Sequence, residues 1–226
     1  MVKSNLFSLK RGVAPYVVAL FATLIAAIFS VNNAAAQPPT GDDFLRLMSL
    51  SIKDLGAYEV HFEMGVSDHE EKIAGRYIVD ENRYMLHVAD QTIYGDGRLR
   101  YTVSAKDREV VIEQLQSNTP MIIANPAQAF LELDKSLNSA IVGGYNDRMV
   151  SFTLTPKDKN LLFRSCFLTM SRFTNMPLFV SYETDEEHVS MRIVDIRSLR
   201  IAAGSAVPRN LDAIAIPSGY EIIDIR

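Results

Sequence analysis

Residues 73–103 read IAGRYIVDENRYMLHVADQTIYGDGRLRYTV, and their spacing decides the fold class. Ile73 to Val79 predicts a strand. Asp80-Glu81-Asn82 is a polar turn, and Tyr84-Met85-Leu86-His87-Val88 is the hairpin partner across it. Gln91 to Tyr94 then leads into Gly95-Asp96-Gly97, and Leu99-Arg100-Tyr101-Thr102-Val103 follows. An Asp-Gly pair between alternating stretches is a strong hairpin signal, because the turn residues must take positive φ. Strands that succeed one another through tight turns make an antiparallel meander, not a βαβ series.

The pattern extends both ways. Upstream, Tyr58, Val60, Phe62 and Met64 alternate with Glu59, His61 and Glu63, which reads as a strand with one wet face. Before it, Thr40-Gly41-Asp42-Asp43 reads as a helix start, with Thr40 as cap and Asp43 at the positive end of the dipole. Phe44, Leu47, Met48 and Leu50 to Ile52 recur at helical spacing, and Gly56 stops the run. Downstream, Glu109 to Leu115 is a strand. Asn125 to Leu133 reads as a helix with Pro126 at its first position. Further strands are expected at Ala140–Val142, Met149–Thr155, Leu161–Met170, Leu178–Glu183 and Val189–Ile201, with a closing one at Tyr220–Ile225. The reading is mainly β (α+β), with about ten strands and two or three helices.

A sheet of that many strands twists and curls to manage its edges. Tyr58, Phe62, Tyr77, Tyr84, Tyr94, Tyr101, Phe152, Phe163 and Phe167 are assigned here to one apolar face. A concave face of that kind either fills with its own side chains or holds an apolar guest. The two helices either cover the mouth as a lid or plug it as core.

The N-terminus has the layout of a cleavable secretory signal. Lys3, Lys10 and Arg11 precede an uncharged run from Val13 to Phe29, and Ala34-Ala35-Ala36 gives an A-x-A site before Gln37. The run is short for a bilayer span of about 20 residues, although an uncleaved anchor helix is the rival reading. The expected organisation is a signal peptide at 1–36 and a single domain at 37–226. Three basic residues leave with the signal out of 23, so 20 face 27 acidic ones and the net charge is −7. An acidic domain of this kind lacks the Lys/Arg footprint that nucleic acid or an anionic lipid surface needs. Cys166 is the single cysteine, so stability rests on packing and not on an internal disulfide. Its neighbours Phe163, Phe167 and Leu168 suggest a small buried hydrophobe rather than a nucleophile.

Motifs for catalysis are few. Ser67-Asp68-His69-Glu70-Glu71 and Asp185-Glu186-Glu187-His188 mix acid and histidine, but position 73 is Ile where a zinc-binding H-E-x-x-H needs its second His. Both clusters read as solvated hairpin tips. His61 and His87 lie on wet strand faces without an evident orienting partner. There is no G-x-S-x-G elbow, Gly-rich phosphate loop or paired-cysteine metal site. No cofactor and no metal are expected.

The order of these elements resembles the periplasmic outer-membrane lipoprotein carrier proteins, the LolA-like family, in its Bacteroidetes type. The motifs that carry the likeness are Gly75-Arg76-Tyr77-Ile78-Val79 before Tyr84-Met85-Leu86, then Tyr94 to Tyr101 with its Asp-Gly turn, Phe152-Thr153-Leu154-Thr155-Pro156-Lys157, and the closing stretch Pro217 to Arg226. The resemblance implies an unclosed antiparallel β-barrel of about eleven strands covered by helices. It also implies a hollow that shelters lipoprotein acyl chains on the way to the outer membrane. Neither catalysis nor a metal is implied. The implied partners are an acylated lipoprotein or other lipid, an inner-membrane release complex and an outer-membrane acceptor, with the carrier a monomer. One departure matters: where the family often carries a lid-holding Arg-Pro, this chain has Glu81-Asn82.

Three functions remain in play: an acyl-chain carrier, a sensor or interaction protein of the same fold, and an exported enzyme using His69 or His188. For the carrier, the hollow candidates are Phe62, Tyr77, Tyr84, Leu86, Leu99, Tyr101, Ile112, Phe152, Phe163 and Phe167. The lid candidates are Phe44, Leu47, Phe130 and Leu131. A one-residue slip in register would exchange the faces.

Overall fold

The computed structural model describes residues 39–66, 72–115, 130–131, 133–143, 146–157, 163–184, 188–199 and 207–226. All elements described here belong to the unit Thr40–Arg226.

Helix α1 spans Gly41–Asp54. Thr40 and Asp43 form a capping box, which satisfies two of the orphan N–H groups of the first turn. Phe44, Leu45, Met48 and Ile52 make its buried stripe, and Leu47 and Leu50 lie on its exposed side. Gly56, at φ 68°, turns the chain out of the helix.

Among the described residues, twelve strands follow: β1 Tyr58–Val66, β2 Ile73–Asp80, β3 Arg83–Val88, β4 Gln91–Gly95, β5 Leu99–Ser104, β6 Glu109–Gln114, β7 Leu137–Gly143, β8 Met149–Pro156, β9 Phe163–Ser171, β10 Pro177–Thr184, β11 His188–Ser198 and β12 Glu221–Asp224. A one-turn helix, α2, at Leu133–Ser136 precedes β7, and a 3-10 turn occupies Leu211–Ala213. The expected helix at Asn125–Leu133 lies outside the described residues apart from Phe130, Leu131 and Leu133.

The strands form one sheet in the order β12-β6-β5-β4-β3-β2-β1-β11-β10-β9-β8-β7. The protein is thus mainly β, an unclosed antiparallel sheet covered by helix. Two meanders, β1–β6 and β7–β11, meet where β1 pairs with β11. The expected hairpins hold, with Glu81 at φ 59° and Gly97 at φ 85° supplying the left-handed turn residues. One pair departs from the meander: β12 lies parallel to β6, with Glu221 opposite Glu109 and Asp224 opposite Ile112. A parallel neighbour needs a long crossover, and here β7–β11 all lie between β6 and β12 in the chain.

The register separates two apolar layers. On the concave side, α1 packs with β1–β3 and β8–β10 in a main core that includes Tyr58, Phe62, Tyr84, Phe152, Leu154, Leu168 and Met170. On the other side, Tyr101, Val110 and Ile112 pack under Leu211, with Leu99, Ile214, Ile216 and Tyr220 around them. The Tyr101 hydroxyl donates to Asp212 there. A bulge in the β1–β11 pairing, between His61 and Phe62, bends the middle of the sheet.

Glu59, expected on a wet face, is only 4% exposed. Arg197 donates to its Oε2 at 2.6 and 2.8 Å, and Arg76 and His61 lie at 3.5 Å. Burial alone would raise the Glu59 pKa. The hydrogen bonds and charge of Arg197 outweigh it and hold the group below 4.5. A depressed carboxyl contributes stability above its unfolded pKa and loses it as pH falls through the folded one. Wild-type protein should therefore lose stability below pH 4.5, measured by the urea midpoint. Glu59→Gln should be less stable at pH 7 and lose less on acidification. Equal pH slopes for the two proteins would refute this role.

Candidate apolar binding cavity

The concave face is not filled completely. A cavity of about 230 Å³ remains over the middle of the sheet. β1 contributes Tyr58, Val60, Phe62 and Met64, a period of two along one strand. β2 adds Tyr77, and β3 adds Leu86 and Val88. β10 contributes Pro177, Val180 and Tyr182, and β11 contributes Met191, Ile193 and Ile196. Ile52 of α1 and Phe130 close the side away from the sheet, and Arg100 of β5 reaches its margin. The break in spacing from Ile193 to Ile196 is the bulge. Without the extra residue, Ile196 would face away.

The polar groups are few. Arg100 donates to Glu113 at 2.8 Å, so its charge is paired. Tyr84 packs its ring against Tyr77, with centroids 5.7 Å apart. That ring lies over Gly95, where a Cβ would collide with it. Phe62 covers Gly75 in the same way. Burial pushes the Tyr84 phenol up to about 12 and raises Tyr58 and Tyr77 as well, so all three stay neutral. Among the described residues, the buried hydroxyls of Tyr58 and Tyr77 have no hydrogen-bond partner. An orphaned buried hydroxyl costs about 1–3 kcal/mol.

Of the residues singled out from sequence, Phe62, Tyr77, Leu86 and Phe130 lie on this cavity. Phe44, Tyr84 and Phe152 are buried in the adjoining core, where Phe44 and Phe152 pack ring to ring at 6.0 Å. Leu131 packs against that core, and its carbonyl accepts from Ser49. Leu47 points to solvent at 42% exposed. Leu99, Tyr101 and Ile112 face the opposite side of the sheet, because the register aligns Tyr101 with Tyr94, Met85, Ile78 and Glu59 rather than with Tyr84. Phe167 also points outward, against Phe179. On β9 the inward residues are Cys166, Leu168 and Met170. The side chain of Phe163 lies outside the described residues. Choosing Phe167 on β9 selected the outer face. The thioether, thiol and leucine set was the buried one.

Sequence reasoning passed over Tyr58, Val60 and Met64 as lining residues, although their alternation was visible. It also missed Met191, Ile193 and Ile196, whose spacing of two then three hid the common face. Among the described residues, no three His, Cys, Asp or Glu side chains gather as a metal would require, and no helix is long and apolar enough to cross a membrane. His69 and Asp185 to Glu187 lie outside the described residues. His188 is exposed at the start of β11.

Fold and site together define a class: an open, curled β-sheet with a helix across its concave face and an apolar hollow between them. No protein-family model and no curated protein sequence matches the chain. Among solved structures, it is similar to a LolA-superfamily protein from Nitrosomonas europaea, at 10% identity and TM-score 0.41, over 73% of this chain and 96% of that one. It is also similar to a putative outer membrane lipoprotein-sorting protein domain from Vibrio parahaemolyticus, at 10% identity and TM-score 0.43, over 72% and 93%. The Pseudomonas aeruginosa MucA/MucB complex gives 16% identity and TM-score 0.42, over 81% and 63%.

Burial pushes the Cys166 thiol up to about 12. At pH 8 in the folded protein, it should therefore react with an aromatic disulfide reagent at least a hundredfold more slowly than in urea, as followed by absorbance. Equal rates would place the thiol at the surface.

Proposed function

We propose that the protein is an exported, non-enzymatic carrier that shelters acyl chains of a lipoprotein, or of a related lipid, in this hollow. On this reading the signal at 1–36 is removed and residues 37–226 act as a single LolA-like domain in the periplasm. The cargo moves toward the outer membrane, from an inner-membrane release complex to an outer-membrane acceptor. The carrier works as a monomer, without a cofactor.

The observation that carries the reading is the lining. Among the described residues it is hydrocarbon, aromatic and thioether almost throughout, and its one cation there, Arg100, is already paired. Each CH₂ moved from water into such a lining is worth about 0.8 kcal/mol. That favours an acyl chain over a polar metabolite.

Volume limits what the resting state can hold. The cavity of about 230 Å³ is below the roughly 300–1,000 Å³ of ordinary ligand pockets. It suits part of one chain, so a multiply acylated cargo requires α1 and the Phe130 region to move outward. The Arg-Pro latch suggested by the family resemblance is replaced by Glu81-Asn82. The nearby Arg83 instead binds Asp80 at 2.9 Å and the carbonyl of Val207 at 3.2 Å. Release must therefore work through other contacts than that latch.

Native mass spectrometry of the protein isolated gently from the periplasm tests this. A stoichiometric acylated adduct, identified by lipid extraction, is the expected result, on a chain whose mass begins at Gln37. A bare mass, with no uptake of offered lipoprotein or fatty acid, would overturn the carrier and favour a sensor or interaction protein of the same fold.

A further inference from the structure

The hollow contains a feature that a shelter for bare hydrocarbon does not need. Tyr58 and Tyr77 stand on adjacent strands. Tyr58 lies opposite Val79, and Tyr77 lies opposite Val60, so the two are diagonal neighbours on the concave side. They are 5% and 8% exposed. Both residues line the cavity, and among the described residues neither hydroxyl has a hydrogen-bond partner, each oxygen being closed off from solvent at the edge of the hollow. Phenylalanine would fill nearly the same volume at both places and bury no polar atom.

We propose that Tyr58 and Tyr77 are hydrogen-bond donors to a neutral carbonyl oxygen of the bound lipid, the ester or amide that joins an acyl chain to its headgroup or protein. This rests on the reading of the hollow as an acyl-chain site and specifies which part of the lipid enters it.

The chemistry favours that acceptor over others. A carbonyl oxygen has two lone pairs and can take two donors at once. The two phenols remain protonated at any physiological pH, since burial opposes ionisation of both and the neighbouring Tyr58 and Tyr84 add to it at Tyr77, so they can donate throughout. A carboxylate fits less well. It would have to be desolvated, and Arg100, the cation on the lining, is held by Glu113. A plain alkane leaves both hydroxyls unsatisfied. The cavity of about 230 Å³ suits a stretch of one chain, and the linkage reaches the two closed-off hydroxyls as the hollow widens around its guest.

The test compares three probes of similar size by displacement of an environment-sensitive fluorophore from the purified protein: methyl decanoate, tridecane and decanoate. Wild type, Tyr58→Phe, Tyr77→Phe and the double variant are measured, after thermal melts establish that each is folded. In wild type the ester should bind at least tenfold more tightly than the alkane. Each Phe substitution should reduce that preference about three- to tenfold, and the double variant should bring it close to one. Infrared spectra of carbonyl-labelled ester should show a lowered C=O stretch in wild type that moves back up in the double variant. An ester-to-alkane ratio unchanged by the substitutions, with an unshifted carbonyl band, would overturn the proposal while leaving the acyl-chain site standing. Decanoate binding as tightly as the ester, with the same tyrosine dependence, would replace the neutral carbonyl by a carboxylate and overturn it too. Failure of all three probes to displace the fluorophore from wild type would remove the acyl-chain reading itself.

Discussion

Everything in this fold follows from a mismatch of dimensions. Twelve strands side by side would make a flat sheet roughly 50–60 Å wide. The covering helix has 14 residues, about 21 Å long and about 10–12 Å across. That helix by itself cannot cover one apolar face of such a sheet. The sheet resolves the problem by curling around α1, which brings β8–β10 and β1–β3 against the same buried stripe of Phe44, Leu45, Met48 and Ile52. Where the curl and the helix fail to meet, over β1 and β11, the cavity remains. The cavity is thus the remainder of a packing problem, not an element added to the fold.

The opposite face has its own solution. Around β5 and β6, the C-terminal segment lays Leu211, Ile214, Ile216 and Tyr220 over Tyr101, Val110 and Ile112, then ends as β12 on the edge of β6. Nearer the centre, charge does the work: Glu59 sits beneath Arg197 with Arg76 and His61 beside it. The sheet is consequently apolar on both sides over part of its width. That is why a single-face assumption misplaces residues there.

Much of the architecture was legible in the chain. The Thr40–Asp43 cap, the alternation from Tyr58 to Met64, and the hairpins through Glu81 and Gly97 all follow from local chemistry, and local chemistry is what one sequence displays. What was not legible depends on partners far away. Tyr101 and Ile112 look like concave-face residues until Leu211 is known to cover them from behind. On β9, aromatic size pointed to Phe167, yet Cys166, Leu168 and Met170 alternate just as regularly, and only the pairing with β8 and β10 selects between them. The bulge opposite His61 shifts Ile196 into phase with Ile193, an event no period-two template can foresee. Tyr58 and Tyr77 were visible as inward residues, but that their hydroxyls go unpartnered is a property of three dimensions.

The pairing of β1 with β11 also governs the order in which the molecule can be made. Tyr58 lies opposite Ser198, so the central seam of the sheet cannot close until nearly the whole chain is available. The loop that must be closed is long, and its entropy must be lost before the contacts repay it, a condition associated with slow folding. The N-terminal meander can form hairpins early, but α1 has no complete surface to bury itself in until β8–β10 arrive. The topology thus sets an order of assembly, in which local hairpins come first and the seam between β1 and β11 waits for the far end of the second meander.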